Sequence, residues 1–560
     1  MLKQQILEDL KKAVKDLGFP ATDIVVSIPQ NPAFGTYTTN LALQLAKLKG
    51  AKGKQSPVEI ANKILTHLGG LSYLSKVEIA GGGFINFFIK DEVLLKNLAN
   101  ATMIEKVSKT VKILVEYGHA NILKEAHIGH LRTYILGESL SRTLEFLGYQ
   151  VFRANYQGDV GLHVAKALWG IIQLGLPERE LSLEEKAKFL GQAYALGSND
   201  YDENPEAKKK IDGINVAIYQ KDPNVMDLYK TGRDWSLEYY EDLYKLLGIK
   251  YDRLFFESEV YELGKKLVLE NTGTIFEKSD GAIIFPGEKF DLHNRVFITS
   301  AGNTTYEAKE MGLAEVQYEA FNYDRAIYVV GSEQAGYFQV VIKALELLFS
   351  HLLGKKHHLS YGMVDLKAGK MSSRTGNIVS IDSLVKIVSE KVEEIVKGSK
   401  LDTDKTIIKQ IALGAIKFAY LKFSPTSNMI FNLEQSVSLE GDSGPYLQYT
   451  YARIQSVLKM AGSGNKDFQI SELNLEAEEK TLLRRLEYFA GTVEQAGIGY
   501  RPNLLCEYLL DLARDFNLFY QKHRIINSGK KEFRLQLAQV VGEVLKIGLN
   551  LLGIETPERM

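Results

Sequence analysis

The sequence of 560 residues contains a single cysteine, Cys506. One thiol forms neither a disulfide within the chain nor a cysteine-based zinc site, and this favours a reducing compartment. No apolar run reaches the roughly 18 residues that a membrane-spanning helix needs. The first residues mix acidic and basic side chains, unlike a signal peptide or a mitochondrial presequence. These absences predict a cytoplasmic protein that does not enter a membrane.

Neither sign of charge dominates, because the formal net charge at pH 7 is −1. A neutral total gives no sign of nucleic-acid binding, although it is compatible with a local basic face. The length predicts about three or four domains. The hydrophobic share of 45% is that of a globular protein, and a chain of this length can bury several cores.

The hydrophobic pattern changes along the chain and divides it into parts. Residues 1–105 predict a small α+β domain that ends in the strand-like segment GGGFINFFIK. Residues 111–380 alternate strands and helices around a mostly helical insertion at about 163–250. Residues 381–435 predict a helical junction, and residues 436–560 predict an all-helical bundle. The predicted fold class is therefore multidomain α/β.

A strand, a helix and a second strand open the middle part. VKILVEY (111–117) is a nearly continuous apolar run, as in a buried parallel strand, and VFRANY (151–156) is another. Between them apolar residues recur at helical spacing up to Gly148, a helix stop. Strand-like runs return after the insertion at AIIFP, RVFIT, AIYVV and SYGMVDL. The pattern predicts a Rossmann-like nucleotide-binding fold in two halves.

The segment NILKEAHIGHLR (121–132) places Lys124, His127 and His130 around Gly129 where the first of these helices begins. Histidines three apart share a helix face, and a helix N-terminus offers free N–H groups to an anion. Imidazole donors and a lysine there would stabilise the charge that grows in phosphoryl transfer. Gly129 would let a flat base lie against the backbone. The alternative is surface histidines beside an incidental glycine.

A second polar motif, GKMSSRTGN (369–377), follows the last predicted strand. It predicts a loop that carries cations and hydroxyl groups over phosphates. The alternative is a polar surface turn. The motif's cations and hydroxyl groups belong to Lys370, Ser372, Ser373 and Arg374.

The two motifs, in this order on a split nucleotide-binding fold, resemble those of the class I aminoacyl-tRNA synthetases. Segments along the whole chain resemble the arginyl-tRNA synthetases, among them VEYGHANILKEAHIGHLR, TTYEAKEMGLA, YVVGSEQAGYFQVV, GPYLQYTYARI and the ending GIETPERM. The resemblance implies activation of L-arginine with ATP to arginyl-adenylate, and transfer of arginine to the 3′ end of its tRNA. It also implies ATP with Mg²⁺ as the substrate complex, no tightly bound cofactor, no protein metal site and a monomer.

The resemblance implies roles for single residues. The catalytic side chains would be Lys124, His127, His130 and Lys370. The ATP-binding residues would be Gly129, Met371, Ser372, Ser373 and Arg374. The arginine-binding side chains would be Glu116, Asn121, Tyr306, Glu310 and Gln334. The chain departs from the family at Ser373, where a lysine is frequent, and Lys124 would supply the missing charge. It departs also at Glu310, where the family has aspartate, and at Tyr337, where histidine is common. Without the resemblance, residues 306–310 indicate only an ordinary helix surface.

The candidate tRNA contacts lie in the C-terminal part. Aromatic and guanidinium groups can stack on unpaired bases, and the candidates are Tyr446, Tyr449, Arg453 and, by the resemblance, Met560. The alternative for the tyrosines is core packing, which we expect for at least one of Tyr446, Tyr449 and Tyr451. A basic cluster at 521–534 is either a tRNA contact or a solvated surface. By the resemblance, residues 1–105 are an additional tRNA-binding domain that touches the tRNA elbow near residues 37–40.

Two other functions stay open on the sequence alone. Another class I adenylating enzyme or a nucleotidyltransferase would share the phosphate motifs, but a small nucleotidyltransferase would lack the helical bundle. A tRNA-binding paralogue without activity would carry damaged motifs. The motif residues present in this chain are Lys124, His127, Gly129, His130 and Lys370.

Overall fold

A computed structural model describes residues 2–48, 55–68, 70–366, 379–397, 404–462 and 473–560. Among these residues no helix is both long enough and apolar enough to cross a membrane. The architecture is mixed α/β, with sheets in the first two thirds of the chain and mainly helices in the last third.

The N-terminal part folds around an antiparallel sheet. In chain order its elements are α1 (Leu2–Asp16), β1 (Val26–Ser27), β2 (Tyr37–Thr39), α2 (Leu41–Lys47), α3 (Pro57–His67), β3 (Leu74–Ala80), β4 (Phe84–Ile89) and α4 (Asp91–Asn97). The strand order is β1-β2-β4-β3, and every neighbouring pair is antiparallel. α1 buries Ile6, Leu10 and Val14, which are spaced four apart, so its apolar face explains its position over the core.

The middle part contains a parallel sheet, a second small sheet and their helices. In chain order its elements are β5 (Lys112–Glu116), α5 (Ile128–Phe146), β6 (Gln150–Gln157), α6 (Leu162–Leu174), α7 (Leu183–Glu203), α8 (Pro205–Gln220), α9 (Pro223–Leu247), β7 (Arg253–Phe256), α10 (Glu257–Glu270), β8 (Glu277–Ser279), β9 (Ala282–Phe285), β10 (Arg295–Ile298), α11 (Tyr306–Ala320), β11 (Arg325–Gly331), α12 (Ala335–Leu348), β12 (Lys356–Tyr361) and β13 (Val364–Leu366).

The parallel sheet has the order β12-β11-β5-β6-β7. The chain proceeds from β5 through β6 to β7 on one side, and β11 and β12 are added on the other side of β5. The strand order thus reverses at β5, and ligands bind beyond the carboxyl ends of parallel strands at such a point. The predicted strand–helix–strand unit and the division of the fold into two halves are confirmed. α6 to α9 separate β6 from β7.

The strands predicted at AIIFP and RVFIT are confirmed as β9 and β10, but their expected place in the parallel sheet is wrong. β9 and β10 pair with each other, and β9 with β8, in an antiparallel sheet. A short apolar run does not distinguish a strand buried in a parallel sheet from one that packs in a separate layer. SYGMVDL, predicted as one strand, is divided between β12 and β13.

The C-terminal part is helical apart from one short strand. In chain order its elements are α13 (Ile381–Val396), α14 (Lys405–Leu421), β14 (Met429–Phe431), α15 (Leu433–Ser436), α16 (Gly444–Ala461), α17 (Ala477–Glu487), α18 (Phe489–Ile498), α19 (Pro502–Lys522) and α20 (Lys531–Leu551). β14 pairs in parallel with β13 and so ties the helical part to the end of the middle part. Helical periodicity dominates the surrounding sequence and hides this strand.

α5 is buried along most of its length, unlike an amphipathic surface helix. Its N-terminus lies at the carboxyl edge of the parallel sheet, where Thr133 receives a hydrogen bond from the N–H of Gly118 and donates to the carbonyl of Val329. Its other end packs against α18 and α20. One helix therefore connects the edge of the parallel sheet with the C-terminal bundle.

Arg132, on the first turns of α5, is 2% exposed, and its guanidinium donates to five carbonyl oxygens. Nη1 donates to the carbonyls of residues 362 and 363, which connect β12 to β13, at 2.6 and 3.1 Å. Nη2 donates to those of residues 424, 425 and 427, which connect α14 to β14, at 2.7–3.3 Å. The carbonyls of residues 363, 424 and 425 also accept a backbone N–H. The planar guanidinium therefore links two turns that are already partly hydrogen-bonded.

We expect Arg132→Leu to lower the free energy of unfolding by about 3 kcal/mol, because the buried carbonyl groups lose a charged donor. Urea unfolding followed by circular dichroism measures this. Arg524→Leu is the control, since Arg524 is exposed and its substitution leaves the backbone carbonyl in place. Equal stability of the two variants would contradict the structural role of Arg132.

Candidate active site

His127 and His130 form a reciprocal cap at the start of α5. The N–H of Gly129 donates to Nδ1 of His127 at 3.1 Å, and the N–H of His127 donates to Nδ1 of His130 at 3.3 Å. The two imidazole rings lie with their centroids 3.8 Å apart. The spacing of three residues that placed both side chains on one helix face therefore also lets them satisfy backbone donors at the helix start.

Both imidazoles are neutral at neutral pH. Burial, followed by the charge of Lys124, lowers the pKa of His127. Burial, followed by the charges of His127, His119 and Lys124, lowers the pKa of His130 to about 3. Because each Nδ1 accepts a hydrogen bond, the single proton of each neutral ring resides on Nε2. The pair therefore presents two Nε2–H donors, which suit the oxygens of a phosphate.

The prediction of free backbone N–H groups at this helix start is wrong for its first residues. The N–H of Ile128 donates to the carbonyl of Val379 at 3.2 Å, and that of Gly129 is taken by His127. Gly129 also has a role within the motif itself. A Cβ atom there would come within 2.9 Å of Cε1 of His127, so the glycine makes room for the imidazole ring.

Lys124 lies beside the two histidines. Its Nζ stands 4.0 Å from the ring centroid of Tyr194 on α7, which stabilises the ammonium by a cation–π interaction. Its backbone carbonyl accepts a hydrogen bond from Tyr240 of α9 at 2.8 Å. The structure thus brings Lys124, His127 and His130 together, as the sequence predicts, and it is the helices between β6 and β7 that hold the lysine in place.

The second motif, with Lys370, Met371, Ser372, Ser373 and Arg374, lies outside the described residues, which resume at residue 379. The residues on either side of it are held against α5. Val379 accepts a hydrogen bond from Ile128, and Ser380 pairs with His127 in an antiparallel bridge. Residues 362 and 363 are held by Arg132. Both approaches to the motif therefore meet the N-terminal turns of α5.

Two buried carboxylates are candidates for the arginine site, one at the carboxyl end of β5 and one on α11. Glu116 is the last residue of β5 and is 1% exposed, and Glu310 on α11 is 7% exposed. The amide of Gln317, also on α11, donates to Glu116, and Nδ1 of His119 lies 3.5 Å from the same carboxylate. The expectation of an ordinary helix surface at residue 310 is therefore wrong.

Burial is the largest influence on the protonation of these carboxylates. It raises the pKa of Glu116, against the hydrogen bond from Gln317 and the charge of Lys356. It raises the pKa of Glu310 as well, with the charge of Glu116 as the next cause. The attraction of Lys356 and a hydrogen bond from Tyr337 oppose this second rise. Glu310 and Tyr337, the two residues that differ from those usual in the resembled family, are thus in contact with each other.

The remaining predicted arginine contacts lie after β5, on α11 and after β11. Asn121 is partly buried, with Oδ1 beside Gly158 and its carbonyl 3.0 Å from the hydroxyl of Tyr240. Tyr306 is 59% exposed at the first turn of α11, one turn before the buried Glu310. Gln334 is exposed in the short helical turn that follows β11. Of the five predicted arginine contacts, the two carboxylates Glu116 and Glu310, called the acidic floor below, are therefore buried, and the other three are partly or fully exposed.

Sequence reasoning missed the residues beneath the acidic floor. Lys356, Tyr328 and Gln317 form a buried chain of polar side chains that leads to Glu116. A buried ion pair, Lys309–Glu257 at 2.5 Å, lies on the neighbouring helices α10 and α11. These residues belong to no local motif, and the sequence around them carries no signal of their burial.

The predicted tRNA contacts fall into exposed and buried sets. Tyr451 is 3% exposed and belongs to the core, which confirms that at least one of the tyrosines is buried. Tyr449 is partly exposed, and the guanidinium of Arg453 lies 4.7 Å from its ring centroid. Tyr446 is partly buried and bonds to Asn517 through its hydroxyl at 3.0 Å. Met560 is partly buried against the helical core.

The basic cluster at 521–534 is largely neutralised by α17 and the residue before it. Lys522 pairs with Glu478 at 2.6 Å, and Arg534, which is buried, pairs with Glu479 at 2.7 Å. Lys530 also contacts Glu479, at 3.2 Å. These pairs favour a structural role for most of the cluster. Arg524 is exposed.

Tyr37, the first residue of the segment expected to approach the tRNA elbow, is buried. Tyr37 is 2% exposed, and its ring packs 5.6 Å from that of Tyr488 at the end of α17. The hydroxyl of Tyr488 donates to the carbonyl of Thr36 at 2.9 Å. This part of β2 therefore joins the N-terminal sheet to the helical bundle.

Comparison with protein families assigns each part of the chain. Residues 1–89 match the arginyl-tRNA synthetase N-terminal domain, residues 93–433 match the class I tRNA synthetase (R) catalytic domain, and residues 447–560 match the DALR anticodon-binding domain.

Whole proteins give the same result. The arginine–tRNA ligase of Halothermothrix orenii is 30% identical over 571 residues, which cover 100% of this chain and 99% of that protein. The ligase of Phocaeicola vulgatus is 31% identical over 524 residues, or 85% of this chain and 86% of that protein. The arginyl-tRNA synthetase of Thermus thermophilus superposes over the full length of both chains with a TM-score of 0.85 and 26% identity. That of Plasmodium falciparum, at 21% identity, shares the fold with a TM-score of 0.82 over 100% of this chain and 99% of that one.

We expect acidification to destabilise the protein through His130. In the unfolded chain this imidazole takes up a proton near pH 6.5, whereas in the folded protein its pKa is about 3. The unfolded state therefore binds more protons below pH 6.5, and stability falls by up to about 2 kcal/mol from this residue by pH 5. His130→Gln should lose less stability than the unaltered protein between pH 7 and pH 5 in urea unfolding.

The exposed His293 provides the matched control. His293→Gln should retain the acid sensitivity of the unaltered protein. If His130→Gln shows the same loss of stability as the unaltered protein, the neutral state of His130 is refuted.

Proposed function

This chain belongs to the arginyl-tRNA synthetases of class I, and we propose that the residues at the carboxyl edge of its parallel sheet carry out the two steps of that family's reaction. The enzyme activates L-arginine with ATP to arginyl-adenylate and transfers arginine to its tRNA, with release of pyrophosphate and AMP. The observation that most supports the proposed site is a pair of neutral imidazole donors beside a buried pair of carboxylates.

The phosphate side of the site comprises His127, His130 and Lys124. In adenylate formation, the carboxylate of arginine attacks the α-phosphorus of ATP, and the bond to the pyrophosphate oxygen breaks. Negative charge increases on the phosphate oxygens as this happens. Two Nε2–H groups that are already positioned by backbone hydrogen bonds, with an ammonium beside them, stabilise that charge without reorganisation. Gly129 serves this step by leaving space for the ring of His127.

The second motif is proposed to act on the same phosphates. Lys370 is the catalytic cation of this segment, and Met371, Ser372, Ser373 and Arg374 bind ATP. Support comes from the described residues on both sides, which are fixed to the first turns of α5. ATP enters as its Mg²⁺ complex, since phosphate oxygens are the ligands that Mg²⁺ prefers. Within the described ranges no group of three His, Cys, Asp or Glu side chains is placed to hold a metal ion.

The arginine side of the site comprises Glu116, Asn121, Tyr306, Glu310 and Gln334. A guanidinium is a planar cation with several N–H donors, and it needs buried carboxylate acceptors. Glu116 and Glu310 provide them at the floor of the pocket. The longer side chain of Glu310 receives a hydrogen bond from Tyr337, which fixes its position. The other three residues serve the rim, where the α-amino and carboxylate groups of the substrate face the phosphates.

The tRNA is proposed to contact the C-terminal bundle at Tyr449 and Arg453, with Tyr446 and Met560 as neighbouring contacts. Tyr449 and Arg453 form a stacked pair on the partly exposed side of α16, which suits an unpaired base. The N-terminal part is an additional tRNA-binding domain that contacts the RNA elsewhere than at Tyr37. We propose that the enzyme acts as a monomer in the cytoplasm.

Aminoacylation of purified tRNA with labelled arginine, with lysine as the competing substrate, tests the proposal. We expect charging with arginine and none with lysine, because a lysine ammonium cannot satisfy two carboxylates with the geometry of a planar guanidinium. Pyrophosphate exchange with ATP that depends on arginine would support the phosphate site as well. A folded protein that binds tRNA but charges neither amino acid would identify an inactive paralogue, and exchange with a different amino acid would identify a different adenylating enzyme.

We expect Lys124→Ala to lower kcat for arginylation by the loss of about 2–4 kcal/mol of transition-state stabilisation, because a positioned cation is removed from the developing charge. Steady-state arginylation kinetics measure this. Lys188→Ala is the control, since Lys188 is an exposed lysine on α7 close to the same site. Near-normal turnover of Lys124→Ala would exclude its compensating role.

We expect Tyr449→Ala to raise the KM for tRNA by about ten-fold, because a stacking contact with a base contributes about 1–3 kcal/mol. The KM for arginine and that for ATP should be unchanged. Tyr451→Phe is the matched control, because Tyr451 is buried two positions along the same helix. If both variants raise the KM for tRNA by the same factor, the effect is a folding defect and not the loss of a direct contact.

A further inference from the structure

Lys356, at the first position of β12, is a cation in the protein interior with an exposed fraction of 8%. Its Nζ donates to the hydroxyl of Tyr328 on β11 and lies 4.8 Å from the centroid of that ring. The hydroxyl of Tyr328 donates in turn to Oε1 of Gln317 at 3.4 Å, and the amide nitrogen of Gln317 donates to Glu116. A continuous chain of polar contacts thus leads from Lys356 to the acidic floor.

The charged groups around these polar contacts determine the protonation of Lys356 and of the two carboxylates. The attraction of Lys356 opposes the rise in pKa of both Glu116 and Glu310, and these two carboxylates in turn oppose the fall in pKa that burial imposes on Lys356. The other titratable groups that face these three residues are His119 after β5, Tyr156 on β6, Glu257 on α10, Tyr323 before β11, Tyr328 on β11 and Tyr337 on α12. Glu257 is already paired with Lys309. Lys356 is therefore the cation that compensates the acidic floor.

We propose that Lys356 is a positioning residue that serves as the internal counter-ion of the arginine pocket: its buried ammonium holds one of the two carboxylates, Glu116 and Glu310, ionised before arginine binds. The arriving guanidinium then displaces a single proton, from the other carboxylate. The inference rests on the proposed function, because it takes these carboxylates to be the arginine acceptors.

The physical reason is the cost of charge in a buried site. Two adjacent carboxylates without a cation resist ionisation together, because each charge is poorly solvated and repels the other. With Lys356 present, the empty pocket balances one ammonium with one carboxylate, and arginine balances the second carboxylate. Without Lys356, the empty pocket keeps nearly two protons. A guanidinium that contacts both carboxylates must displace both, because a protonated carboxyl is a poor acceptor for a cation, and the bound site then carries one uncompensated negative charge.

The test is the pH dependence of arginine binding. A binding step that releases one proton tightens about ten-fold for each unit of pH, and one that releases two tightens about a hundred-fold. For the unaltered enzyme we expect the arginine KM to fall about ten-fold per unit of pH between about pH 6 and pH 8. For Lys356→Met we expect a higher KM at about pH 6.5 and a steeper fall with pH, with kcat at saturating arginine and the ATP KM unchanged.

Lys355→Met is the matched control. Lys355 is adjacent in sequence, but its ammonium donates to the hydroxyl of Tyr318 and the carbonyl of Tyr323, each at 3.2 Å. It should keep the slope of the unaltered enzyme. Lys356→Arg preserves the charge and should also keep that slope. A Lys356→Met variant that lowers kcat or raises KM equally at every pH would show a structural role only and would overturn the proposal.

A second measurement needs no variant and stands if Lys356→Met does not fold. Calorimetry of arginine binding to the unaltered enzyme, in two buffers of different ionisation enthalpy, counts the protons released near pH 7. A release of about one proton supports the counter-ion role. A release near zero would mean that both carboxylates are already ionised, and a release near two would mean that Lys356 holds neither; each result overturns the proposal. Failure of the unaltered enzyme to charge arginine would instead refute the proposed function.

Discussion

The buried guanidinium of Arg132 is the interaction on which the site depends. It lies two residues after His130 on the same helix, and its guanidinium donates to five carbonyl oxygens from two turns. Three of these carbonyls also accept a backbone N–H, so the guanidinium adds a charged donor that links the two turns. No other side chain offers five N–H donors in one plane, so neither a lysine nor an apolar residue could hold both turns at once. The start of α5, the β12–β13 turn and the α14–β14 turn consequently behave as one rigid unit. The imidazole pair and the approaches to the second motif are positioned together because of it.

Burial acts on the two halves of the site in opposite directions, and both effects serve the proposed chemistry. At the phosphate side it removes the protons that would charge His127 and His130, so these rings remain neutral donors whose hydrogen-bond directions are fixed. At the arginine side it favours protonated carboxyls, which would be poor acceptors for a cation. The proposed role of the buried ammonium of Lys356 is to oppose this protonation of the carboxylates. His119 lies between the halves: it contacts Glu116 and also influences the pKa of His130.

Local patterns predicted what local interactions determine. The apolar run of β5 and the start of α5 are confirmed, and so is the proximity of the motif residues His127 and His130, because strand, turn and helix signals adjoin in sequence. The placement of β9 and β10 failed, since four apolar residues look the same in either sheet. Lys356, Gln317 and Tyr328 could not be predicted, because they meet only when β11, β12 and α11 pack. A lysine at the start of a strand normally indicates an exposed edge, and only the tertiary structure reveals its burial.

The contacts of Arg132 also have a consequence for the order in which the chain is made. The guanidinium and its most distant carbonyl partner are separated by 295 residues. A ribosome that adds about 5–20 residues per second needs roughly 15 to 60 s to synthesise that interval. For this time α5 exists without the turns that surround its buried charge, and the parallel sheet lacks β11 and β12 for most of it. The environment that buries the charge of Arg132 is therefore completed only late in synthesis, well after α5 itself has been made.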